Sequence, residues 1–326
     1  MPCRGGQGRE KGCLNSLSSG RSARDLFPQA EHRIADRDGD LSALATGEWD
    51  AAIDTSAYVP RQVRAMAAAL AGRVGHYQLV SSISAYADLS AAGVDEHGAL
   101  KTLPDPTLET VTGDTYGGLK VLCEVAARQG FEGRCLINRP GLIVGPHDPT
   151  GRFTWWVQRL QRGGDVLAPG EPTTPVQFID ARDAAQWMLL QAERATTGVF
   201  NLTGPAQPLN IGGLLEAARQ TLNPAAALQW VGEQFLLDHG VAPWSDLPVW
   251  LPRAQAGLHR VNIERAVASG LHCRPLAQTL QDTAQWAASA PAAPAAAAGG
   301  LPRPGVGLPA QREADLLRAW KDQPGA

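Results

Sequence analysis

Between Glu31 and Arg139 the chain alternates short apolar runs with stretches of helical periodicity, and this alternation limits the fold more than any other feature. Strands are predicted at Glu31–Asp36, Asp50–Thr55 (DAAIDT), Tyr77–Ser82 (YQLVSS) and Arg134–Arg139 (RCLINR). Helices are predicted over 61–70 and about 112–129. Strands that are apolar on both faces and separated by helices do not suit a sheet with one wet face. They predict an α/β fold, a parallel sheet covered by helices on both sides.

Past Gly151 the pattern loosens. Helices are predicted over 152–162, 181–193, 211–222 and 275–287, with short strands at Val176–Ile179 and Val199–Leu202. A stretch holding Trp244, Pro248, Trp250 and Pro252 suits a smaller lobe, and Trp155 and Trp156 read as lobe core because an indole buries much apolar area. Residues 288–310 are rich in Ala, Pro and Gly, a linker or tail. A last helix over 310–321 either packs back or stands free. The first 24 residues set Arg4, Arg9, Lys11, Arg21 and Arg24 against Glu10 alone. No strand or amphipathic helix can be drawn through them, so disorder is expected.

Composition excludes several classes of function. The 326 residues carry 29 basic and 32 acidic side chains, a net charge of −3. The folded part has no basic stripe, which argues against a nucleic-acid partner. No apolar run approaches the roughly 20 residues of a membrane helix, so no membrane span is expected. Cys3, Cys13, Cys123, Cys135 and Cys273 are scattered and lie in no CxxC or Cys/His zinc spacing. Reduced thiols in a cytoplasmic protein are expected, with no metal.

The chemistry points to Tyr116-Gly-Gly-Leu-Lys120. At i and i+4 of one helix, the phenol and the ammonium share a face. A phenol with a reference pKa of about 10 is a poor base at neutral pH. A nearby lysine cation favours the phenolate, so the pair can take or return a proton at a substrate oxygen. On its own this spacing is common on solvated helix faces. Upstream, however, YQLV runs into Ser81-Ser82-Ile83-Ser84-Ala85-Tyr86. A hydroxyl at a strand's carboxyl end lies where parallel α/β sheets bind ligands.

With Arg139-Pro140-Gly141-Leu142-Ile143-Val144-Gly145-Pro146 and Val176-Gln177-Phe178-Ile179-Asp180-Ala181-Arg182-Asp183, these motifs resemble the NAD-dependent epimerase/dehydratase family, the extended short-chain dehydrogenase/reductases. The resemblance covers about residues 25–287. It implies a Rossmann-like NAD(P)-binding domain over 25–204, with a substrate-side insertion at about 146–175. A C-terminal substrate lobe over 205–287 and a tail over 288–326 follow. The implied activity is NAD- or NADP-dependent oxidoreduction or epimerisation of a small-molecule secondary alcohol or ketone, nucleotide sugars included. Family dehydratases usually place an Asp-Glu pair after the strand-end Thr; Ile83 and Ser84 stand there, which counts against dehydration.

Matched residue by residue, the resemblance makes Tyr116 the acid/base. Lys120 tunes it and holds the nicotinamide ribose, and Ser82 contacts the substrate oxygen, ahead of Ser81 or Ser84. Asp36 and Arg37 would meet adenine, Thr55, Ser56 and Ala57 would pass under the cofactor, and the backbone at Pro140 would lie near the nicotinamide. A homodimer through the Tyr/Lys helix follows by analogy. His147 and Asp148 read as a solvated loop, and Arg152 and Arg182 as surface charge rather than phosphate ligands.

The family's opening strand and Gly-x-x-Gly-x-x-Gly loop, which bring backbone amides to a pyrophosphate, find no match. Gly5, Gly6, Gly8 and Gly12 follow no strand and precede no apolar helix face. The resemblance begins near Gly20-Arg21-Ser22, so the first strand, first helix and second strand are expected to be missing or scrambled. An upstream start or frame error is the preferred cause; divergence and a transit peptide are the others. The expected consequences are poor stability and weak cofactor binding, and NAD cannot be told from NADP. A second reading therefore stays open, a catalytically impaired relative that binds NAD(P) or RNA or acts in regulation.

Overall fold

The computed structural model describes residues 30–289 and 305–323, together with the backbone of Asn15–Ser18. The chain is a mixed α/β protein with a parallel sheet flanked by helices. It divides into two compact units that alternate along the sequence: residues 1–87, 99–139 and 186–200 form the first, and 88–98, 140–185 and 201–326 the second.

In the first unit, strands β1 (Asn15–Ser18) and β2 (Glu31–Ile34) pair in parallel. The composition of the first 24 residues predicts no strand, yet one forms. A parallel ladder uses backbone groups alone and asks little of side-chain pattern. Gly5, Gly6, Gly8 and Gly12 lie outside the described residues. The larger sheet begins with β3 (Trp49–Asp54), helix α1 (Pro60–Ala69), β4 (Val74–Val80), helix α2 (Gly113–Gly130) and β5 (Cys135–Pro140). β3, β4 and β5 are parallel neighbours. Because side chains alternate along a strand, Tyr77, Leu79, Cys135 and Ile137 pack with Val63 and Met66 of α1, with Leu70 just after it, and with Cys123, Ala126 and Ala127 of α2. The intervening residues His76 and Gln78 meet the segment 186–200, bonding the Thr196 and Met188 carbonyls.

The second unit contains β6 (Leu142–Val144), α3 (Arg152–Arg162), β7 (Asp165–Pro169), β8 (Pro175–Val176) and β9 (Phe178–Asp180). The boundaries of the units fall within helix α4 (Ala181–Glu193) and strand β10 (Gly198–Leu202), and β10 borders β5 at the edge of the larger sheet. Then come β11 (Leu209–Asn210), α5 (Ile211–Leu222), β12 (Ala227–Val231), α6 (Glu233–Asp238), α7 (Glu264–Ala268), α8 (Leu276–Ser289) and α9 (Ala310–Lys321).

The single strand predicted at Val176–Ile179 is broken at Gln177. Val176 pairs with Leu209 and Phe178 with Leu142, while the Gln177 amide leaves the ladder to donate to His259 Nδ1. Trp156 and Trp250 are fully buried in this unit's core, as expected of lobe tryptophans, and the Trp156 indole donates to the Pro248 carbonyl at 2.5 Å. Helix α9 packs back: Leu316 and Leu317 join the same core, and buried Glu313 accepts from Arg159 and from the Leu167 amide.

The unit boundaries differ from the division at 204. Residues 140–185 group with the C-terminal part because β6 pairs with β9 and α3 packs on α5 and α8. Among the described residues no helix is long and apolar enough to cross a membrane.

Candidate active site

Strand β4 stops at Val80, and the next two residues make the tip. The Ser81 amide donates to the Asn138 carbonyl at 2.6 Å, extending the pairing with β5 by one step. Ser82 stays extended and caps the short turn Ile83–Ala85, its hydroxyl accepting from the Ser84 amide at 3.0 Å.

Tyr116 arrives from the first turn of α2. Thr112 caps that turn, accepting from the Thr115 amide while the Thr115 hydroxyl bonds the Thr112 amide, so two of the otherwise unmatched N-terminal donors are used. The half-buried phenol lies beside Ser82, the hydroxyl that the family resemblance favours. Its pKa is pushed up to about 12, chiefly by burial, while the neighbouring Ser82 hydroxyl pulls it down. The expectation that Lys120 brings the phenol below its ordinary value is not met: burial raises it, and the groups that act on it are Ser82, Tyr58 and Cys123.

The sequence places Lys120 one turn further along the same face, but its reach is spent on backbone. Lys120 Nζ donates to the Ala57 and Val80 carbonyls, both at 2.7 Å, pinning the loop after β3 to the tip of β4. Burial lowers its pKa. Tyr58, which the motifs do not flag, lines the same place: Lys120 Nζ is 5.6 Å from its ring centroid, and the Tyr58 and Tyr116 rings are 6.4 Å apart.

The five residues expected at the adenine side and beneath the cofactor behave differently from one another. Asp36 is exposed and closes its own turn by accepting from the Asp38 amide. Arg37 is committed: its fork grips Asp54 at 2.6 and 2.5 Å, and Tyr77 donates to the same carboxylate at 2.6 Å. Arg37 also donates to the Ser56 hydroxyl, so only its buried Nε lacks a protein partner. Thr55 and Ser56 are exposed and Ala57 is buried.

Ser81 turns its hydroxyl to Glu124, at 2.6 Å, and so is no stand-in for Ser82. Glu124 and Tyr58 escaped the motif reading, and Arg139 entered it as a motif residue with no role. A titratable residue recurring at Tyr116, Lys120 and Glu124, four apart each time, was the available signal.

Pro140 ends β5 and belongs to the second unit. There, Asp148 is buried rather than solvated, accepting from the Thr150 amide, with burial raising its pKa. His147 is exposed, its ring 5.4 Å from that of Trp286. Arg182 pairs with Asp180 and Asp282, and Arg152 lies over the Trp244 ring at 5.3 Å, so neither arginine extends freely into solvent.

No family model and no curated protein matches the sequence. Solved structures do. UDP-glucuronic acid 4-epimerase from Bacillus cereus in complex with NAD is 14% identical, with a TM-score of 0.56 over 81% of each chain. UDP-N-acetylglucosamine 4-epimerase from Bacillus cereus is 14% identical, TM-score 0.57, covering 84% of this chain and 89% of that one. RMD from Pseudomonas aeruginosa complexed with NADPH is 16% identical, TM-score 0.53, over 82% of this chain and 95% of its own. At such identities the likeness shows the fold alone, one shared with these solved structures.

Proposed function

We propose that this chain is an NAD(P)-dependent oxidoreductase or epimerase acting on a secondary alcohol or ketone, with Tyr116 as its acid/base. One observation carries the reading: the Tyr116 phenol lies close enough to the Ser82 hydroxyl, beyond the carboxyl end of β4, to feel it electrostatically, with Lys120 held on the same helix face. Ser82 can bond a substrate oxygen while Tyr116 transfers its proton. With a pKa of about 12 the phenol is protonated at neutral pH and still far more acidic than an alkoxide's conjugate acid. It is therefore suited to completing a ketone reduction.

The residues present fit the nicotinamide-ribose end of a dinucleotide. Tyr116 and Ser82 offer hydroxyls, and Lys120 has one N–H beyond the two given to carbonyls. At the far end the buried, unpartnered Arg37 Nε is a donor for a ligand acceptor. When bound, the nicotinamide supplies the hydride acceptor or donor. NAD in one structural neighbour and NADPH in another support the cofactor class, and the sugar nucleotides named for two of them make a nucleotide sugar the substrate class to try first. A homodimer through α2 remains part of the proposal by analogy.

The test is NAD(P)H binding by fluorescence, then turnover with nucleotide-4-keto-sugars and simple ketones, for wild type and Tyr116→Phe. Binding kept and turnover lost about a thousandfold in the variant is the expected result. Equal rates in both proteins would overturn the assignment. A second reading, a cofactor-binding relative without turnover, is favoured by the commitment of Arg37 to Asp54. Tight NAD(P)H binding with no turnover on any substrate is its signature.

A further inference from the structure

Tyr116, Lys120 and Glu124 follow one another at four-residue steps on one face of α2, and each engages a residue at the tip of β4. Tyr116 meets Ser82, Lys120 bonds the Val80 carbonyl and Glu124 accepts from the Ser81 hydroxyl. Glu124 is fully buried and both its oxygens are occupied. Oε1 takes Ser81 Oγ at 2.6 Å and Arg139 Nε at 2.9 Å, and Oε2 takes an Arg139 terminal nitrogen at 2.6 Å. Arg139, 1% exposed, also lies 4.8 Å from the Tyr86 ring centroid. A buried ion pair is often no more stabilising than apolar side chains of the same volume. What it does here is fix the direction of a hydroxyl one residue from the one that faces Tyr116.

We infer that Ser81 and Glu124, braced by Arg139, are positioning residues that set the Ser82 hydroxyl in register with the Tyr116 phenol. Ser82 is extended, at φ −164° and ψ 151°, so with its neighbour tethered to α2 it has little freedom to swing away. The catalytic meaning of this brace rests on the acid/base role proposed for Tyr116. The brace itself is measurable with no substrate at all.

Glu124 variants risk unfolding because they strand the Arg139 charge, so the decisive change is Ser81→Ala, which leaves Glu124 and Arg139 paired. The chain has four tyrosines, so 13Cζ-labelled tyrosine gives a spectrum simple enough for Tyr116→Phe to assign. Ser82→Ala sets the scale by removing the hydroxyl next to the Tyr116 phenol. Ser81→Ala should move the Tyr116 resonance by at least half as much, and Ser81→Thr should return it. Turnover should fall in parallel about ten- to hundredfold in kcat with KM little changed, as expected for a misplaced group. A Tyr116 resonance unmoved by Ser81→Ala, or unmoved by Ser82→Ala, overturns the inference. Should the wild type show no turnover, the proposed function falls while the resonances still decide the brace.

Discussion

The backbone carbonyl of Ser84 lies so close to Gly117 that a Cβ at that glycine would stand 2.1 Å from the oxygen. The turn that carries Ser82 and the helix that carries Tyr116 thus touch backbone to backbone. Ala is a better helix former than Gly by about 1 kcal/mol, yet Gly117→Ala should destabilise by about 1–3 kcal/mol through overpacking. It should also lower kcat ten- to hundredfold by pushing the turn off the helix. Urea denaturation and steady-state kinetics on the same preparation check both effects, and a stabilised, fully active variant would contradict them.

The Glu124–Arg139 pair gives a second expectation. Each side chain is 1% exposed, so losing one partner leaves a buried charge unmatched. Glu124→Ala and Arg139→Ala should each cost about 3–5 kcal/mol, whereas a double replacement by apolar residues of similar volume should cost far less. The comparison of single and double variants by denaturant titration decides it.

His259 predicts how stability depends on pH. Burial lowers its pKa from 6.5 to about 4, and its Nδ1 accepts from the Gln177 amide, which requires the neutral ring. The unfolded chain takes up a proton below pH 6.5 that the folded chain refuses until about pH 4. The stability due to the neutral ring is therefore complete above pH 6.5 and drains away as pH falls toward 4, by about 3 kcal/mol in all. Thermal midpoints of wild type and His259→Asn at pH 7.5 and 5.0 should converge at the lower value. A pH-independent difference between the two proteins would exclude His259 as the cause.

Glu313 tethers α9 through Arg159 and through the Leu167 amide, which donates to it at 3.0 Å. Glu313→Ala removes an acceptor from a buried donor and a partner from a buried guanidinium. The Leu167 amide should then exchange with solvent at least tenfold faster, and the second unit should lose about 3 kcal/mol. Hydrogen-exchange mass spectrometry resolves the peptide around Leu167, and unchanged protection there would show that the tether does not matter.

Much of this protein was legible because its signals are local. The extents of α3, α4, α5 and α9 could be drawn from periodicity, while Ser82 was preferred over Ser81 through the family resemblance, by its place before Tyr86. What stayed hidden depends on partners remote in sequence or on backbone atoms. Nothing near Arg37 announces that Asp54 will take its fork. Lys120 looks like a cation placed to acidify Tyr116, yet the Ala57 and Val80 carbonyls claim it. Strands β7 and β12 were missed because each is half of a ladder whose other half lies some sixty residues away, as in the pairing of Asp165 with Ala227. Strand β1 escaped for a different reason, since parallel backbone pairing leaves no mark on composition.

The alternation of the two units along the chain also shapes how the protein is made. Six segments in turn, 1–87, 88–98, 99–139, 140–185, 186–200 and 201–326, meet at five junctions. No single cut yields either half as a continuous fragment. During synthesis the larger sheet must wait for Gly198–Leu202 to emerge before its fourth strand can dock. Tyr116 and Ser82 thus leave the ribosome long before the edge of their own sheet exists, which makes this a protein of slow, non-local assembly with much to gain from a chaperone.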